Sequence, residues 1–305
     1  MKPKLVIVLG PTGVGKSAVA VDLALRRGGE VVNADSQLVY RHMDIGTAKP
    51  PAALREKVRH HLIDIVNPDG EFNAALYREL ALKAIAEIAA RGKEALVCGG
   101  TGLYLRALLG GIFVGPGKSP ELRARLEAEA SAKGVNALHD RLRVVDPAAA
   151  AGIHPNDRYR VVRALEVFEL TGKGISRWQK EHGFKESAFQ ALKIGLNRER
   201  KELYDLIDRR ADEMIAGGLV EEVKRLVERG YGLDLPALHS VGYRQVGLHL
   251  QGQVGLDEAL ALIKRDTRHL AKRQLTWFRA DKEIRWFHPE TERDRIHEVV
   301  GEFIN

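Results

Sequence analysis

Short apolar runs alternate with helical patterns through the first third of the chain. The runs cover residues 5–9, 30–33, 61–66 and 95–98. They are apolar enough for strands that are buried on both faces. Between them, residues 17–27 and 73–91 carry apolar positions at helical spacing. Such alternation is typical of βαβ units, so we predict a parallel sheet with helices packed against it.

The pattern changes in the middle of the chain. Residues 110–120 (GGIFVGPGKSP) are dense in glycine and proline, which marks a boundary. From residue 121 to about residue 182 the pattern is helical, and residues 191–196 then predict a strand that returns to the sheet. Long helical patterns follow at residues 198–216, 219–229 and 256–279. The predicted domains are an α/β core at residues 1–117 and 191–305 and a helical insertion domain at residues 118–190.

The composition is that of an ordinary globular protein with a slight basic excess. Apolar residues make up 45% of the 305 residues and charged residues 29%. Lys and Arg total 48 against 41 for Asp and Glu, which gives a formal net charge of +7. This excess favours an anionic partner only if the positive charge is clustered on the surface.

The N-terminal segment and the cysteine content bear on location and metal binding. The apolar run at residues 5–9 is short and ends in a glycine turn, so we predict a strand there and no signal peptide. No stretch reaches the apolar length that spans a bilayer, and we therefore predict a cytoplasmic protein without membrane contact. The single cysteine, Cys98, excludes an internal disulfide, and its neighbours favour a buried strand end. The 11 histidines lack metal-ligand spacing, so we predict no zinc site.

Residues 10–17 read GPTGVGKS, directly after a predicted strand and at the start of a predicted helix. They match the phosphate loop G-x-x-x-x-G-K-[ST], whose glycines let backbone N–H groups wrap around phosphate oxygens. Lys16 adds a positive charge, and Ser17 is placed to ligate Mg²⁺. The loop predicts a site for a diphosphate or a triphosphate and leaves the choice open. The predicted phosphate-binding residues are Gly10, Pro11, Thr12, Gly13, Val14, Gly15, Lys16 and Ser17.

One acidic residue follows the second predicted strand. A nucleotide hydrolase normally carries an acid at the end of a neighbouring core strand, but the run at residues 95–98 ends in Gly99-Gly100-Thr101. Asp35 follows the strand at residues 30–33 instead. Because ligands of open α/β sheets bind at the carboxyl ends of strands, we expect Asp35 to lie near the phosphate loop. A purely structural role, capping of the next turn, stays open.

Six sequence blocks together resemble one family, the bacterial tRNA dimethylallyltransferases, also called IPP transferases. The first three blocks are GPTGVGKS (10–17), NADSQLVYRHMDIGTAKP (33–50) and GGTGLYLRAL (99–108). The last three are HPNDRYRVVRALEVF (154–168), SVGYRQ (240–245) and TRHLAKRQLTWFR (267–279). They follow the family's order over nearly the whole chain. The resemblance implies a P-loop NTPase-like core with a helical insertion. It also implies transfer of a dimethylallyl group from dimethylallyl diphosphate to the N6 amine of the adenosine that follows the tRNA anticodon.

The resemblance further implies roles for individual residues. Asp35 would be the general base, while Lys16, Thr101 and Arg210 would bind the diphosphate, together with Mg²⁺ held by Ser17. The block DRRADEM (208–214) has Ala211 after that arginine, where the family often has phenylalanine. The residues implied to contact tRNA are Asp35, Ser36, Gln37, Leu38, Thr101, Arg123, Tyr159, Arg160, Val161, Val162, Arg163, Ser240, Val241, Gly242, Tyr243, Arg244, Gln245, Lys272, Arg273, Gln274, Leu275, Thr276, Trp277, Phe278 and Arg279. Nothing in the sequence indicates a dimer interface, so we expect a monomer.

The last long helical pattern carries a basic stripe, which consists of Arg265, Arg268, Lys272 and Arg279. Spacings of three, four and seven place these residues on one helix face. The segment 267–279 contains no acid, and an unmixed basic face favours contact with phosphates. Ile263, Leu270 and Trp277 recur every seven residues on the opposite face, where we expect them to pack against the core.

Three alternatives remain at this point. A small-molecule P-loop kinase also places an aspartate near the phosphate loop, but it does not need a basic helix or a long C-terminal extension. An adenylate prenyltransferase would make a free prenylated nucleotide, and the predicted insertion and the blocks at residues 240–245 and 272–279 favour tRNA instead. A non-catalytic RNA-binding module has no use for a diphosphate loop facing an acid. Without the family resemblance, Arg160 and Arg163 are equally compatible with ordinary surface positions.

Overall fold

The computed structural model describes residues 2–112, 115, 117, 119–183 and 188–305. The chain forms two compact units, of which the first is Met1–Leu109 with Ala188–Asn305 and the second is Gly110–Ser187. Both boundaries lie slightly earlier in the chain than the predicted ones, and residue 118, the predicted start of the insertion, is outside the described residues. Within the described part of the chain, no helix is long and apolar enough to cross a membrane.

Six parallel strands form one sheet in the first unit. They are β1 (Lys4–Leu9), β2 (Glu30–Asn33), β3 (His60–His61), β4 (Ala95–Gly99), β5 (Gln190–Leu196) and β6 (Arg285–Phe287). Their order in the sheet is β3-β2-β4-β1-β5-β6. β1 is central, and its Val6 is in register with Leu96 of β4 and Leu192 of β5. Side chains from Leu5 to Leu9 are at most 3% exposed, so the apolar run is covered on both faces as predicted.

Two strands differ from the sequence prediction. β3 contains only His60–His61, where residues 61–66 were predicted. Leu62 and Asp64 adopt left-handed backbone conformations with φ of 62° and 57°, and these end the strand. Val66 makes only an isolated bridge with Tyr40. β6 was not predicted, because three residues are too few to show a strand period.

The described residues form fourteen α-helices. They are α1 (Lys16–Arg27), α2 (Ala52–Lys57), α3 (Ala74–Ala90), α4 (Gly102–Gly110), α5 (Pro120–Lys133), α6 (Val135–Val145), α7 (Pro147–Gly152), α8 (Arg158–Thr171), α9 (Ile175–His182), α10 (Arg200–Ala216), α11 (Leu219–Glu228), α12 (Tyr243–Leu250), α13 (Leu256–Arg279) and α14 (Arg293–Ile304). The five helices predicted individually all form, each within two residues at either end.

Two apolar clusters hold the first unit together. One joins α1 and α14 to the sheet through residues such as Val6, Leu23 and Val300. The other packs the segment after β2 against α11 and α12, with Met43 and Tyr243 fully buried. The sheet and these helices therefore position the loops at the carboxyl ends of β1, β2 and β4.

The second unit is helical, with no strand among its described residues. Its core comes from α5, α6 and α8 and includes Leu126, Leu142 and Leu165. The carboxylate of Glu166, fully buried, accepts hydrogen bonds from the Ser119 backbone and the Arg123 guanidinium. The predicted helical insertion is thus a separate small core with its own buried ion pair.

Candidate active site

The phosphate loop connects β1 to α1 in a conformation that only glycine tolerates well. Gly13 and Gly15 have φ of 82° and 104°, in the left-handed region. A Cβ on Gly10 would lie 2.6 Å from the Leu196 carbonyl oxygen, so the loop runs close against β5. Lys16 begins α1, and its Nζ donates to the Pro11 carbonyl at 2.8 Å. Backbone N–H groups and a helix N-terminus therefore meet at one concave site.

Arg210 of α10 lies at the phosphate loop. Its Nη2 donates to Thr12 Oγ1 at 3.1 Å. Burial lowers the pKa of Arg210 and the pKa of Lys16, and in both cases the negative charge of Asp35 acts in the opposite direction. Ala211 is buried in the α11–α12 cluster, so the departure from the usual phenylalanine leaves Arg210 in place. Two cations thus lie at the loop with neutral hydrogen-bond partners, an arrangement that favours a bound polyanion.

Asp35 and Thr101 follow adjacent strands and share a network of short contacts. Ser36 N donates to Thr101 Oγ1 at 3.0 Å, and Thr101 N donates to the Ala34 carbonyl at 3.1 Å. Gly99 permits this approach, because a Cβ there would lie 2.2 Å from Ala34. Asp35 Oδ1 accepts from Gln37 N at 2.9 Å, so the capping role left open by the sequence is real. Oδ2 has no protein partner among the described residues and remains free for another role.

Gln274 of α13 links two loops of the site. Its Oε1 accepts from Thr12 N at 2.8 Å, and its Nε2 donates to the Gly100 carbonyl at 2.9 Å. A Cβ on Gly100 would lie 2.4 Å from this Nε2, so the glycine makes room for the amide. The sequence prediction assigned Gln274 to tRNA contact and missed this connecting role. No local pattern could reveal it, because the partner lies 262 residues away along the chain.

Two cavities meet at this network. The first cavity has a volume of about 410 Å³ and contains Lys16 and Ser17 of the phosphate loop. Its apolar lining includes Val31, Leu38, Pro50 and Ile63. The second cavity, of about 430 Å³, is bordered by residues from the 36–37, 100–101 and 240–242 segments and by α13. The residues common to both cavities are Thr12, Asp35, Thr47 and Arg210.

Most of the residues implied to contact tRNA fall into three groups in the structure, and four others are described separately. The first group borders the second cavity and comprises Asp35, Ser36, Gln37, Thr101, Ser240, Val241, Gly242, Arg273 and Gln274. The second group is exposed elsewhere and comprises Tyr159, Arg160, Arg244, Lys272, Thr276, Trp277 and Arg279. Leu38 borders the first cavity, and Leu275 is half-buried. Arg123 and Arg163 both donate to the buried Glu166 carboxylate.

A third group is buried, which corrects the prediction for these side chains. Its members are Val161, Val162, Tyr243, Gln245 and Phe278. Val161 and Val162 belong to the core of the second unit. Gln245 Oε1 accepts from Gly242 N at 2.9 Å, and its Nε2 donates to Asp266. A motif shows which residues recur together, whereas burial shows that the side chains of these five residues pack inside the fold.

The basic stripe is less uniform than the sequence predicted. Arg265 and Arg268 are paired with Asp266 and Asp208, at 2.9 Å and 2.8 Å. Lys272 and Arg279 border a groove of about 260 Å³ and have no acidic partner among the described residues. The exposed face that remains available to phosphates is therefore at the C-terminal part of α13.

Trp277 does not pack into the core as predicted, since it is 43% exposed. Its indole lies against α4, where a Cβ on Gly102 would be 2.2 Å from Nε1. A straight α-helix turns about 20° past a seven-residue repeat with every heptad. Ile263 is buried, Leu270 is half-buried and Trp277 is exposed, in line with this drift.

Comparison with known proteins identifies the family of this chain. The model of the IPP transferase family matches residues 38–281. A tRNA dimethylallyltransferase of Geobacter sulfurreducens is 52% identical over 302 residues, which cover 99% of this chain and 97% of that protein. The chain belongs to the IPP transferase family.

Among the described residues, no group of three or more His, Cys, Asp or Glu side chains could hold a metal ion.

Solved structures of the family share the fold. The tRNA isopentenylpyrophosphate transferase of Bacillus halodurans is 42% identical, with a TM-score of 0.74 and coverage of 99% of this chain and 97% of that one. A eukaryotic dimethylallyltransferase described as acting on tRNA is 27% identical, with a TM-score of 0.83, and the match covers 99% of this chain and 79% of that one. The IPP transferase fold, with its phosphate loop and parallel sheet, is thus the fold of this chain.

Proposed function

We propose that this chain transfers a dimethylallyl group from dimethylallyl diphosphate to the N6 amine of the adenosine next to the tRNA anticodon on its 3′ side. The observation that carries the proposal is the junction of the two cavities at Asp35, Thr12, Thr47 and Arg210. A donor in the first cavity and a base in the second would meet beside a carboxylate and a phosphate loop. Relatives named tRNA dimethylallyltransferase support the same activity.

The first cavity suits an allylic diphosphate. Loop amides, Lys16 and Arg210 surround the polar part, while Val31, Leu38 and Ile63 offer apolar contact for a short hydrocarbon tail. As the allylic C–O bond breaks, negative charge grows on the departing diphosphate. The two cations stabilise that charge most strongly in the transition state, so they lower the barrier as well as bind the donor.

The second cavity suits a base that has left its stack. The exocyclic amine of adenine is a weak nucleophile, because its lone pair is delocalised into the ring. Asp35 Oδ2, which has no partner in the described structure, would accept a proton from this amine as the new C–N bond forms. A base in a single-stranded loop flips out at a cost of only a few kcal/mol.

Mg²⁺ is the implied cofactor, and the residues present fit it. The exposed Ser17 hydroxyl and the Asp35 carboxylate lie on the same cavity, and both are the oxygen ligands that this ion prefers. Ser17 would hold the ion beside the diphosphate, and the negative charge of Asp35 on the same cavity favours a cation there. When bound, Mg²⁺ supplies further stabilisation of charge on the diphosphate oxygens.

The surfaces outside the cavities are compatible with tRNA. In the first unit, Lys272, Arg273 and Arg279 are exposed on α13. In the second unit, Tyr159 is 67% exposed, and the Arg123 guanidinium lies 5.7 Å from the centroid of its ring. Single-stranded RNA is commonly bound by such aromatic and cationic side chains. We expect the enzyme to act in the cytoplasm, where tRNA is its substrate, and to do so as a monomer.

The test is a transfer assay with dimethylallyl diphosphate labelled in the dimethylallyl group. Wild-type protein is incubated with Mg²⁺ and either an anticodon stem-loop RNA or AMP, with and without ATP. We expect label on the RNA adenosine, release of intact diphosphate and no effect of withholding ATP. Label on AMP alone would point to an adenylate prenyltransferase. A requirement for ATP, or its hydrolysis in step with transfer, would contradict our assignment of the phosphate loop.

A further inference from the structure

One buried carboxylate lies outside the proposed chemistry yet holds a wall of the second cavity. Glu222 on α11 is 4% exposed. Its oxygens accept hydrogen bonds from three consecutive backbone amides of the loop after β2. The distances are 3.1 Å from Asp44 N, 2.9 Å and 3.1 Å from Ile45 N, and 3.3 Å from Gly46 N. The loop therefore wraps its N–H groups around a protein carboxylate.

The same carboxylate also binds the start of α12. Tyr243 OH donates to Glu222 Oε1 at 2.6 Å, and the Tyr243 side chain is fully buried. Burial, and then the charge of Glu222, raise the pKa of Tyr243, so its hydroxyl stays a donor. No Lys or Arg pairs with Glu222 among the described residues. A buried carboxylate without a cation is expensive unless several donors satisfy it, and here four groups do so.

These contacts connect two sides of the second cavity. Gly46 and Thr47 border it from the loop after β2, and Val241 and Gly242 border it from the segment before α12. The two sides touch directly, because a Cβ on Gly46 would lie 2.4 Å from the Tyr243 ring. Lys49 secures the remainder of the loop, and its Nζ donates to the Tyr40 carbonyl at 2.6 Å and to Asp44 Oδ1 at 2.7 Å.

We propose that Glu222 is a positioning residue that sets the spacing between the 44–47 loop and the 240–242 segment and thereby fits the second cavity to the flipped adenosine. The inference rests on the proposed function, since it assigns the second cavity to the RNA base. Glu222 borders neither cavity, and it acts through Gly46, whose amide it binds, and through Gly242, which precedes its partner Tyr243. Its effect should fall on RNA and leave the phosphate loop alone, because Lys16 and Arg210 are held by other contacts.

Glu222→Gln is the decisive variant. It keeps the size of the side chain but replaces one carboxylate oxygen by an NH₂ group, which then faces backbone N–H donors. Oε2 accepts from Asp44 N, and Oε1 accepts from Gly46 N, so either orientation of the amide turns its NH₂ group towards a backbone N–H. Glu222→Asp keeps both acceptors on a shorter side chain, and Tyr243→Phe removes only the hydroxyl donor. Glu30→Gln is the matched control, because Glu30 is equally buried in the same unit. It lies at the start of β2, whereas Glu222 binds the loop that follows the end of β2.

The readouts are kcat and KM for an anticodon stem-loop, the Kd of inorganic diphosphate, the Kd of the stem-loop and the melting temperature. For Glu222→Gln we expect kcat/KM for RNA to fall by about tenfold or more, the size of effect that a small misplacement of a substrate produces. Diphosphate affinity should stay within about twofold. Glu222→Asp should recover part of the loss, and Tyr243→Phe should show a smaller loss of the same kind. Glu30→Gln should lower the melting temperature without changing either Kd of the folded protein.

Two outcomes would overturn the proposal. In one, Glu222→Gln leaves the kinetic constants for RNA unchanged. In the other, Glu222→Gln reduces diphosphate binding and RNA binding to the same extent as it reduces the folded fraction. That result is expected from substitution of a residue that only stabilises the fold. Failure of the proposed function looks different, because wild-type protein would then transfer no label to RNA at all. The stem-loop affinity measured without donor still reports on Glu222 in that case.

Discussion

Two carboxylates, one at the start of β2 and one just beyond its end, show how positions close in sequence acquire different roles. Glu30 begins the strand, is 2% exposed, and receives His61 Nε2 and Arg91 Nη2 at 2.7 Å each. Lys93 approaches the same carboxylate at 3.1 Å. Asp35 follows the strand and has no cationic side chain paired with it in the described structure. One carboxylate is fully neutralised and stabilises the fold, whereas the other keeps an oxygen free at the sheet edge where ligands bind.

Removing the charge of Asp35 should have the largest effect on activity. Asp35→Asn keeps an oxygen that can accept from Gln37 N, so the turn is preserved while the proposed base is lost. We expect transfer to fall by about 10²–10⁴-fold, with the melting temperature nearly unchanged. Single-turnover kinetics with stem-loop RNA measure the first quantity. A variant with more than half of wild-type turnover would remove Asp35 from this role.

Lys16→Ala tests the cationic side of the same edge. The substitution removes charge where the leaving diphosphate develops it, so transfer should fall by about 10²–10³-fold. Burial of Lys16 costs free energy, and the folded protein should therefore lose little stability. Kinetics and a melting curve check both points. A large loss of stability with normal turnover in the folded fraction would assign Lys16 to the fold, as Glu30 is assigned.

Glu30→Gln should show the reverse pattern, with a large effect on stability and none on chemistry. Breaking a buried ion pair destabilises by roughly 3 kcal/mol or more. The partners hold the pKa of Glu30 at about 2, below its ordinary 4.5. The contribution of the ionised Glu30 carboxylate to the free energy of unfolding is therefore complete above the ordinary pKa of 4.5, and it is lost as the pH falls toward 2. Denaturant unfolding at pH 7 and pH 3 measures the difference in the free energy of unfolding between wild type and variant. This difference should be smaller at pH 3, and an unchanged difference would contradict the pKa shift.

Substitution of the exposed cations of α13 should have the smallest of these effects. Lys272→Glu removes a positive charge that has no acidic partner in the described structure, whereas Arg268→Glu also breaks the pair with Asp208. Each lost phosphate contact should reduce the slope of log affinity against log salt by about 0.7–0.9. We expect that change for Lys272→Glu and a weaker one for Arg268→Glu, because Asp208 already neutralises Arg268. Filter-binding titrations over a range of salt would measure both slopes, and equal slopes would mean that pairing does not decide which cations meet RNA.

Patterns of residues close together in the sequence were enough to predict much of the secondary structure and the phosphate loop. The phosphate loop, the bounds of β2 and the 24-residue helix α13 follow from the sequence, because each depends on residues within a few positions of one another. Because the carboxyl ends of parallel strands meet at one edge of the sheet, the sequence also predicted Asp35 near the phosphate loop, and both Asp35 and Lys16 border the first cavity. The block resemblance added Arg210, whose position no periodicity would predict.

Only the tertiary structure decided which motif residues are available to a ligand. Tyr243 and Gln245 belong to a recognisable block yet are buried, and Trp277 is exposed although its heptad spacing predicted the core. Gln274 joins two loops, and Glu222 fixes a third, through partners that are distant in sequence. The physical reason is that a pattern defines which face of an element is apolar, whereas packing between elements determines what that face meets and which polar groups are left free.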